Sequence, residues 1–161
     1  MKPHPSAGIL LYRRRADGLE VLLAHPGGPY WRRQDHGSWS VPKGIAEPDE
    51  AAEAVAAREF AEETGFELSA VANDPSRLPL DLGEVTLKSG KVIHTWAVEG
   101  DLDPQLAHSN EFEIEWPPRS GRRHMIPEVD RVAWFDPDEA RLRAHPAQAA
   151  FVDRLEAALR A

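Results

Sequence analysis

The 161-residue sequence contains no cysteine. A disulfide framework, a thiolate metal site and catalysis by a thiol nucleophile are therefore excluded. Any metal ion that the protein binds must be held by oxygen or nitrogen ligands. This length suits one ordinary domain with its own core, and we predict a single domain over residues 1–161.

Long apolar runs are also lacking. The N-terminal stretch MKPHPSAGILLYRRR contains only the short run GILLY, which leads directly into three arginines. Such a run is far shorter than the apolar region of a signal peptide or a membrane span. We therefore expect a soluble, cytoplasmic protein that does not bind membranes.

Positive charge is in deficit, because the formal net charge is -8 at pH 7. A nucleic-acid polymer requires a basic binding face, so we expect no such partner. A small nucleotide is compatible with this charge, since a divalent cation can bridge acidic side chains to an anionic substrate. The sequence leaves the oligomeric state open between a monomer and a homodimer.

Strand-like runs and turn signals predict an α/β fold. Apolar residues at 8–12 and 19–24 flank the tight-turn signal Asp17-Gly18 and predict a hairpin. Helical patterns close the chain after Asp136-Pro137. Further strands are predicted at 82–87, 92–98, 111–116 and 131–135. A mixed sheet covered by helices, an α/β sandwich, accounts for this order of elements.

A helix is predicted over residues 50–63, which are free of glycine and proline and are followed by Gly65 as a stop signal. Each residue of a helix turns by about 100°, so Glu59, Glu62 and Glu63 share one face within a single turn. Like charges at this spacing repel one another, whereas Mg²⁺ prefers such oxygen ligands. We interpret this face as a cation site; the alternative is a solvated, glutamate-rich surface.

Neighbouring residues have roles that follow from their chemistry. Gly44 lacks a side chain, so its carbonyl can approach a metal ion or a ligand. Arg58 can hold one carboxylate with a fork of donors and thereby limit the repulsion. Phe60 points about 100° away from Glu59 and is predicted to anchor the helix to the sheet.

The stretch GIAEPDEAAEAVAAREFAEETGF, residues 44–66, resembles the complete Nudix box. The one mild departure is that both apolar positions are aromatic. The resemblance implies an α/β/α sandwich in which the box forms a loop-helix-loop. It also implies hydrolysis of a nucleoside diphosphate linked to another group, with Mg²⁺ or Mn²⁺ as cofactor. The matching positions are Gly44, Glu50, Arg58, Glu59, Phe60, Glu62, Glu63, Gly65 and Phe66.

The same resemblance assigns roles to individual residues. The implied metal ligands are the carbonyl of Gly44 and the carboxylates of Glu59, Glu62 and Glu63. Arg58 and Glu50 are implied to orient these groups, although a glutamate in a first helical turn can also simply complement the helix dipole. The catalytic set that we predict comprises Glu62, Glu63, Arg58 and Glu128.

Glu128 lies outside the box, just before the strand-like tract RVAWF. In several branches of the Nudix family, a glutamate in a similar place binds metal or helps to activate water. The alternative is an ordinary loop carboxylate. Glu111, Glu113 and Glu115 are rivals, but their strict alternation is more typical of the outer face of a strand.

Aromatic and basic residues occur together in two predicted loops, HPGGPYWRRQDHGSW and WPPRSGRRH. Aromatic rings can stack on a base, and arginines can bind phosphate oxygens. Solvated surface charge is the alternative for each arginine. The histidines, including His36, show no metal-ligand spacing, and we expect structural or solvent-facing roles for them. The substrate contacts that we predict are Lys43, Arg32, Arg33, Trp31, Trp39 and Arg119.

The stretch SWSVPKG, ahead of the box, resembles the diadenosine and diphosphoinositol polyphosphate branches of the family. Because long anionic chains suit the arginine-rich loops, we favour a nucleoside or dinucleoside polyphosphate as substrate. The alternatives are a nucleoside triphosphate or ADP-ribose-type pyrophosphatase, and a module that binds nucleotides without turnover. The intact box favours catalysis.

Overall fold

The structure is a computed structural model, and it describes residues 5–161. Within this range no helix is long and apolar enough to cross a membrane. The strands are β1 (Ser6–Arg15), β2 (Gly18–Pro26), β3 (Lys43–Ile45), β4 (Leu80–Thr86), β5 (Val92–Glu99), β6 (Glu111–Glu115), β7 (Arg123–Pro127) and β8 (Val129–Phe135). The helices are α1 (Ala52–Thr64), α2 (Leu68–Val71), α3 (Pro137–Arg143) and α4 (Ala149–Arg160), with short 3₁₀ turns at Pro104–Leu106 and Pro146–Gln148.

β1 and β2 form the predicted hairpin. They pair antiparallel from Tyr12 opposite Val21 to Arg15 opposite Gly18. The turn is therefore Ala16-Asp17, one position earlier than predicted, because Gly18 already belongs to β2. The φ angle of Gly18 is 128°, a value that glycine adopts without a steric penalty.

The main sheet is mixed, as predicted. Its strands lie in the order β4-β5-β1-β2-β8, and β3 pairs beside β1. β1 and β5 are parallel, whereas the other neighbouring pairs are antiparallel. The start of β1 pairs with β3, and its end pairs with β2. The segment that precedes α1 is therefore part of the sheet, although no strand is predicted there.

Alternate side chains of β1 pack on opposite faces of the sheet. Ile9 and Leu11 belong to the core that contains Phe60 of α1. Leu10 belongs to the core on the other face, which contains Phe151 of α4 and a residue of α3. Burial on both faces explains why this strand is almost continuously apolar. The predicted α/β/α sandwich is confirmed.

Helix α1 lies close to its predicted range. It begins at Ala52 rather than at residue 50, and it ends at Thr64. Gly65 follows with φ 80°, and its N–H donates to the Ala61 carbonyl at 2.8 Å, as expected for a glycine that ends a helix. Phe60 is fully buried, so the predicted anchoring of α1 to the sheet is confirmed.

β6 and β7 form a separate two-stranded hairpin, which we call the arm (residues 111–127). Only β6 is predicted from the sequence. The arm packs against the loop after β2: Ile126 lies over Gly28, where an added Cβ atom would come within 2.6 Å of the isoleucine side chain. Trp116 meets Tyr30 edge-on, with ring centroids 4.9 Å apart.

Candidate active site

The carboxylates of Glu59 and Glu63 lie where α1 packs against β3. Only 8% of Glu59 and 5% of Glu63 is exposed. Gly44 permits this packing, because a Cβ atom at residue 44 would overlap the Glu59 carboxylate. The sequence of the box explains this arrangement, because α1 presents both glutamates to β3, the preceding strand, which contains Gly44.

Arg58 holds three carboxylates of the site. Its Nε and Nη2 donate to the two carboxylate oxygens of Glu50 at 3.1 and 2.9 Å. Its Nη1 donates to Oε1 of Glu59 at 3.0 Å and to Oε1 of Glu62 at 3.2 Å. These contacts, that to Glu50 above all, raise the pKa of Arg58 and lower the pKa of Glu50. One guanidinium therefore offsets the repulsion within the cluster.

Glu50 lies outside α1. This position decides whether Glu50 orients its neighbours or complements the helix dipole from the first turn. The helix begins at Ala52, and Glu53 is the acidic residue of its first turn. Glu50 instead accepts hydrogen bonds from Arg58 and, at 3.0 Å, from the N–H of Glu47. The interpretation of Glu50 as a first-turn residue is therefore wrong, and its contacts are those of a residue that orients Arg58.

Burial strongly affects the ionisation of Glu63. Burial raises the pKa of Glu63 to about 8; the charges of Glu59 and Glu128 add to this effect, and Lys43 opposes it. The pKa of Glu59 is also raised, first by burial and then by the charge of Glu62, with Arg58 in opposition. Each buried carboxylate thus lacks sufficient positive charge around it, which favours the binding of a cation.

Glu128 lies in the bend between β7 and β8, close enough to the cluster for its charge to raise the pKa of both Glu59 and Glu63. Its side chain is exposed, but its backbone is held on both sides. Its N–H donates to the Asn110 carbonyl at 3.0 Å, and its carbonyl accepts from the Gly27 N–H at 2.9 Å. The structure therefore brings Glu128 to the box glutamates.

The three rival glutamates lie on β6 of the arm. Glu113 is 3.7 Å from Nε of Arg123, and Glu115 accepts from the backbone N–H of Arg119 at 2.8 Å. These two are therefore engaged within the arm. Glu111 differs, because it lines a cavity of about 290 Å³ that Glu63 also lines. Glu111 is thus the rival that shares a cavity with a box glutamate.

Two lysines bring positive charge to the same place. The backbone N–H of Lys43 donates to Oε2 of Glu63 at 3.3 Å. Burial, together with the charge of Lys43, lowers the pKa of Lys91, while Glu63 opposes that shift. Lys91 is not predicted from the sequence. It lies just before β5, and only the parallel pairing of β5 with β1 indicates that it belongs here.

Residues 27–38, which we call the basic loop, lie between β2 and the box. They include three of the residues that are predicted to contact the substrate. Trp31 is exposed beside Tyr30. Arg32 and Arg33 are exposed too, and within residues 5–161 neither side chain makes an ion pair or a hydrogen bond. Arg119, at the tip of the arm, is likewise exposed, with φ 63°. These guanidinium groups are available to an anionic ligand.

Trp39 is not available to a ligand. It is only 2% exposed, and its indole N–H donates to Oδ1 of Asp35 at 2.9 Å. Its ring meets the rings of His25 and Phe135 edge-on, at centroid distances of 5.1 and 4.9 Å. The prediction that Trp39 contacts the substrate is therefore wrong, because core packing already covers the ring.

The donor chemistry of the cluster fits a hard divalent cation, which prefers carboxylate and carbonyl oxygens. Among the described residues, however, no three acidic or histidine side chains are placed so that they could hold a metal ion together. The carboxylates are instead engaged by protein donors: Arg58 donates to Glu59 and Glu62, and the Lys43 amide donates to Glu63.

The family model described as NUDIX domain matches residues 2–155 of the sequence. A search of curated proteins finds no match. An Ap4A hydrolase from C. elegans, solved as a binary complex, superposes with a TM-score of 0.66 at 18% identity, over 96% of this chain and 98% of that one.

Two further structures are similar over most of their length. A Nudix hydrolase from M. smegmatis, RenU, has a TM-score of 0.59 at 23% identity, over 98% of this chain and 86% of that one. The NUDIX domain of NrtR from Shewanella oneidensis, complexed with ADP ribose, has a TM-score of 0.63 at 17% identity, over 99% and 90% of the two chains. Similarity at these identities shows a shared fold.

Proposed function

The chain belongs to the Nudix family, and from this premise we propose that it is a divalent-metal-dependent pyrophosphohydrolase. It cleaves a phosphoanhydride bond in a nucleoside diphosphate linked to another group, and its substrate is a nucleoside or dinucleoside polyphosphate. Members of the family are typically pyrophosphohydrolases and generally use divalent metals. The similarity to an Ap4A hydrolase supports the choice of substrate.

The observation that carries the proposal is the pair of buried glutamates beside Gly44. A surface helix gains nothing from Glu59 and Glu63 in this position, because burial raises the pKa of both. Buried carboxylates of this kind are stabilised by a cation. Perturbed ionisation in a cluster of this kind is typical of functional sites.

The cation ligands in this proposal are Glu59, Glu62, Glu63 and the carbonyl of Gly44. When bound, Mg²⁺ or Mn²⁺ supplies positive charge that activates water and offsets the charge of the substrate phosphates. Arg58 positions the ligands, because its guanidinium contacts both Glu59 and Glu62. Glu50 holds this guanidinium in place by accepting two hydrogen bonds from it.

Glu128 is the general base in this proposal. Its exposed carboxylate can meet solvent, and its backbone is fixed by Asn110 and Gly27. It accepts a proton from the attacking water as the bond from oxygen to phosphorus forms and the phosphate leaving group departs. A residue with this task acts in the transition state and contributes little to binding of the ground state.

The substrate phosphates are bound in this proposal by basic side chains from several segments of the chain. Lys43 opposes the rise in the pKa of Glu63, and Glu63 opposes the fall in the pKa of Lys91, so both lysines lie near this carboxylate. Arg32 and Arg33 of the basic loop, with Arg119 of the arm, extend the positive surface outward. Trp31 offers an exposed ring on which a base can stack. Several cations suit a chain of three or more phosphates better than a diphosphate.

Three alternatives use the same site. An ADP-ribose-type activity is favoured by the similarity to a NUDIX domain that was solved with ADP ribose. A nucleoside triphosphate pyrophosphatase differs only in phosphate number. A module that binds nucleotides without turnover is less favoured, because all of the box glutamates are present.

One substrate panel tests the proposal. Dinucleoside tetraphosphates, nucleoside triphosphates and ADP-ribose are each incubated with Mg²⁺, Mn²⁺ or EDTA, and the products are separated by ion-exchange chromatography. We expect metal-dependent cleavage with the highest kcat/KM for a tetraphosphate. Preference for ADP-ribose would replace the substrate but keep the reaction class. Binding without cleavage of any compound would favour the non-catalytic module.

A further inference from the structure

A cavity of about 580 Å³ lies on the side of α1 near α2 and the segment 73–79. We call it the α1–α2 cavity. Pockets for small molecules typically have volumes of about 300–1,000 Å³, so this one is large enough for a nucleoside. Its apolar surface is formed by Ala57, Ala61, Leu68, Ala72, Pro79 and Val98.

The cavity exists because α1 presents small residues here. Ala57 and Ala61 are one helical turn apart and therefore lie on the same side of the helix. Neither side chain extends beyond Cβ, which leaves the space between α1 and Val98 of β5 unfilled. Both alanines are only half-buried, so the cavity is open to solvent.

The cavity shares one wall with the candidate active site. Arg58 and Glu62 line it, and they are the same two side chains that are joined by a hydrogen bond of 3.2 Å in the carboxylate cluster. Arg58 also contacts Glu59 at 3.0 Å. A molecule in the cavity therefore lies directly beside groups that we assign to the metal site.

The charges around the cavity select against a phosphate chain. Its charged residues are three acids and two bases, so their sum is -1 (2 minus 3): Glu62, Glu67, Asp74, Arg58 and Arg77. Arg58 is already occupied by carboxylates. An uncharged chemical group that contains an apolar ring fits this surface better than a phosphate does.

A ribose diol also suits these acids, since carboxylates commonly accept hydrogen bonds from ribose hydroxyls. Glu67 and Asp74 are both exposed at the edge of the cavity. Arg77 is exposed as well; its guanidinium lies 3.9 Å from the Glu99 carboxylate and can stack on a planar base. An apolar floor, acceptors for hydroxyls and an exposed guanidinium match the three parts of a nucleoside.

We propose that the α1–α2 cavity binds one nucleoside of a substrate whose phosphates lie at the carboxylate cluster. The second end of such a substrate extends toward the basic loop, where Trp31 and the arginines lie. This inference rests on the proposed function and deepens it, because it assigns a separate site to one of the two nucleosides of a dinucleoside polyphosphate.

Filling the cavity tests the inference by kinetics. Ala61→Phe puts a ring into the space, and Ala158→Phe, at an exposed position of α4, is the matched control. With diadenosine tetraphosphate we expect KM to rise about tenfold or more in Ala61→Phe while kcat changes less than threefold. The control keeps both constants. An unchanged KM, or a loss in kcat alone, overturns the inference.

A binding experiment on the wild-type protein covers the case in which Ala61→Phe does not fold. Alanine methyl groups are labelled with ¹³C, and adenosine, which carries no phosphate, is titrated without metal. Saturable shifts of the Ala57, Ala61 and Ala72 methyls, without shifts of Ala158, support the site. Absence of these shifts overturns it.

The two proposals fail separately. In one outcome, the wild type hydrolyses diadenosine tetraphosphate while adenosine causes no shifts and Ala61→Phe has no effect. That outcome rejects the nucleoside site in the cavity but keeps the proposed catalytic function. Adenosine shifts at the cavity in a protein that hydrolyses nothing keep the nucleoside site and reject the proposed catalytic function.

Discussion

Nδ1 of the His25 ring lies 2.9 Å from Oδ1 of Asp130 in β8. On the other side of the same ring, Nε2 lies 2.6 Å from the Gln34 carbonyl in the basic loop. The ring is fully buried, and its two nitrogens contact two different segments of the chain. His25 thereby joins the basic loop to the strand that follows Glu128.

We therefore expect His25→Phe to loosen the basic loop. The variant keeps a buried ring but leaves Asp130 and the Gln34 carbonyl without these bonds, which costs about 1–3 kcal/mol of stability. KM for a dinucleoside tetraphosphate should rise by about tenfold, with a smaller change in kcat, because the box glutamates are unaltered. Steady-state kinetics and thermal unfolding provide the measurements.

The control for this variant is His94→Phe, which also removes a histidine–aspartate contact, that of Nε2 with Asp81 at 2.6 Å. His94 lies on β5, away from the basic loop, so KM should not change. A His25 variant with the KM of the wild type would show that the loop is positioned by its other contacts alone.

Replacement of Glu63 by Gln should abolish most of the metal-dependent activity. Gln keeps the shape of the buried side chain but removes a charge that the cation needs, so we expect kcat to fall by about a hundredfold or more. The fold should persist, because Gln avoids burying a charged group. Circular dichroism checks the fold, and calorimetry with Mn²⁺ checks the loss of binding. Near-normal activity would remove Glu63 from the set of ligands.

Glu128→Gln and Glu111→Gln form a matched pair. Loss of the general base should reduce kcat by about 10²–10⁴-fold with little change in KM, whereas the arm variant should resemble the wild type. If the two variants exchanged behaviour, Glu111 would be the base.

Arg32 and Arg33 should discriminate between substrates by phosphate number. Replacing both with Ala removes two unpaired cations of the basic loop, and kcat/KM for a dinucleoside tetraphosphate should fall more than that for ADP-ribose. The difference should be larger at low ionic strength, where screening is weaker. Arg160→Ala, at the end of α4, controls for a charge change elsewhere. Equal impairment on both substrates would argue against a polyphosphate.

Asp35 provides a prediction about pH and stability. The Trp39 N–H, followed by the Arg143 guanidinium, holds the pKa of Asp35 below its ordinary value of 3.8. A lowered folded-state pKa contributes stability above the ordinary value, and this contribution is lost as the pH falls through the folded-state pKa. Because Asp35 is exposed, the effect is small.

The corresponding measurement compares Asp35→Asn with wild type in urea. The free energy of unfolding should be lower in the variant at pH 7, and the difference should narrow as the pH falls below 3.8. Asp138→Asn, at an exposed position of α3, is the control. A difference that stays constant with pH would mean that the carboxylate charge contributes nothing.

Local signals explain which elements could be predicted. Gly65 ends α1 because its positive φ suits a glycine, and the apolar Phe60 must face the sheet once the helix forms. The hairpin of β1 and β2 is likewise determined by adjacent residues. The box then places Glu59 and Glu63 on one side of α1, so the core of the site follows from helix geometry.

The remainder depends on contacts between distant segments. β3 has only three residues, and it is a strand because it pairs with β1. Lys91 joins the site through the parallel pairing of β1 and β5. Trp39 is aromatic like Trp31, but only the tertiary structure shows that one ring is in the core and the other is exposed.

The insertion of residues 39–45 into the sheet has a consequence for motion. Ser40 and Ala24 exchange two backbone hydrogen bonds, of 2.7 and 2.9 Å, and β3 pairs with the start of β1. Amide protons here should exchange with solvent only when strands separate, whereas those of Arg32 and Arg33 exchange through local openings. The Gly44 carbonyl therefore has the rigidity of the core, and the basic loop can adapt to a ligand on a faster timescale without displacing it.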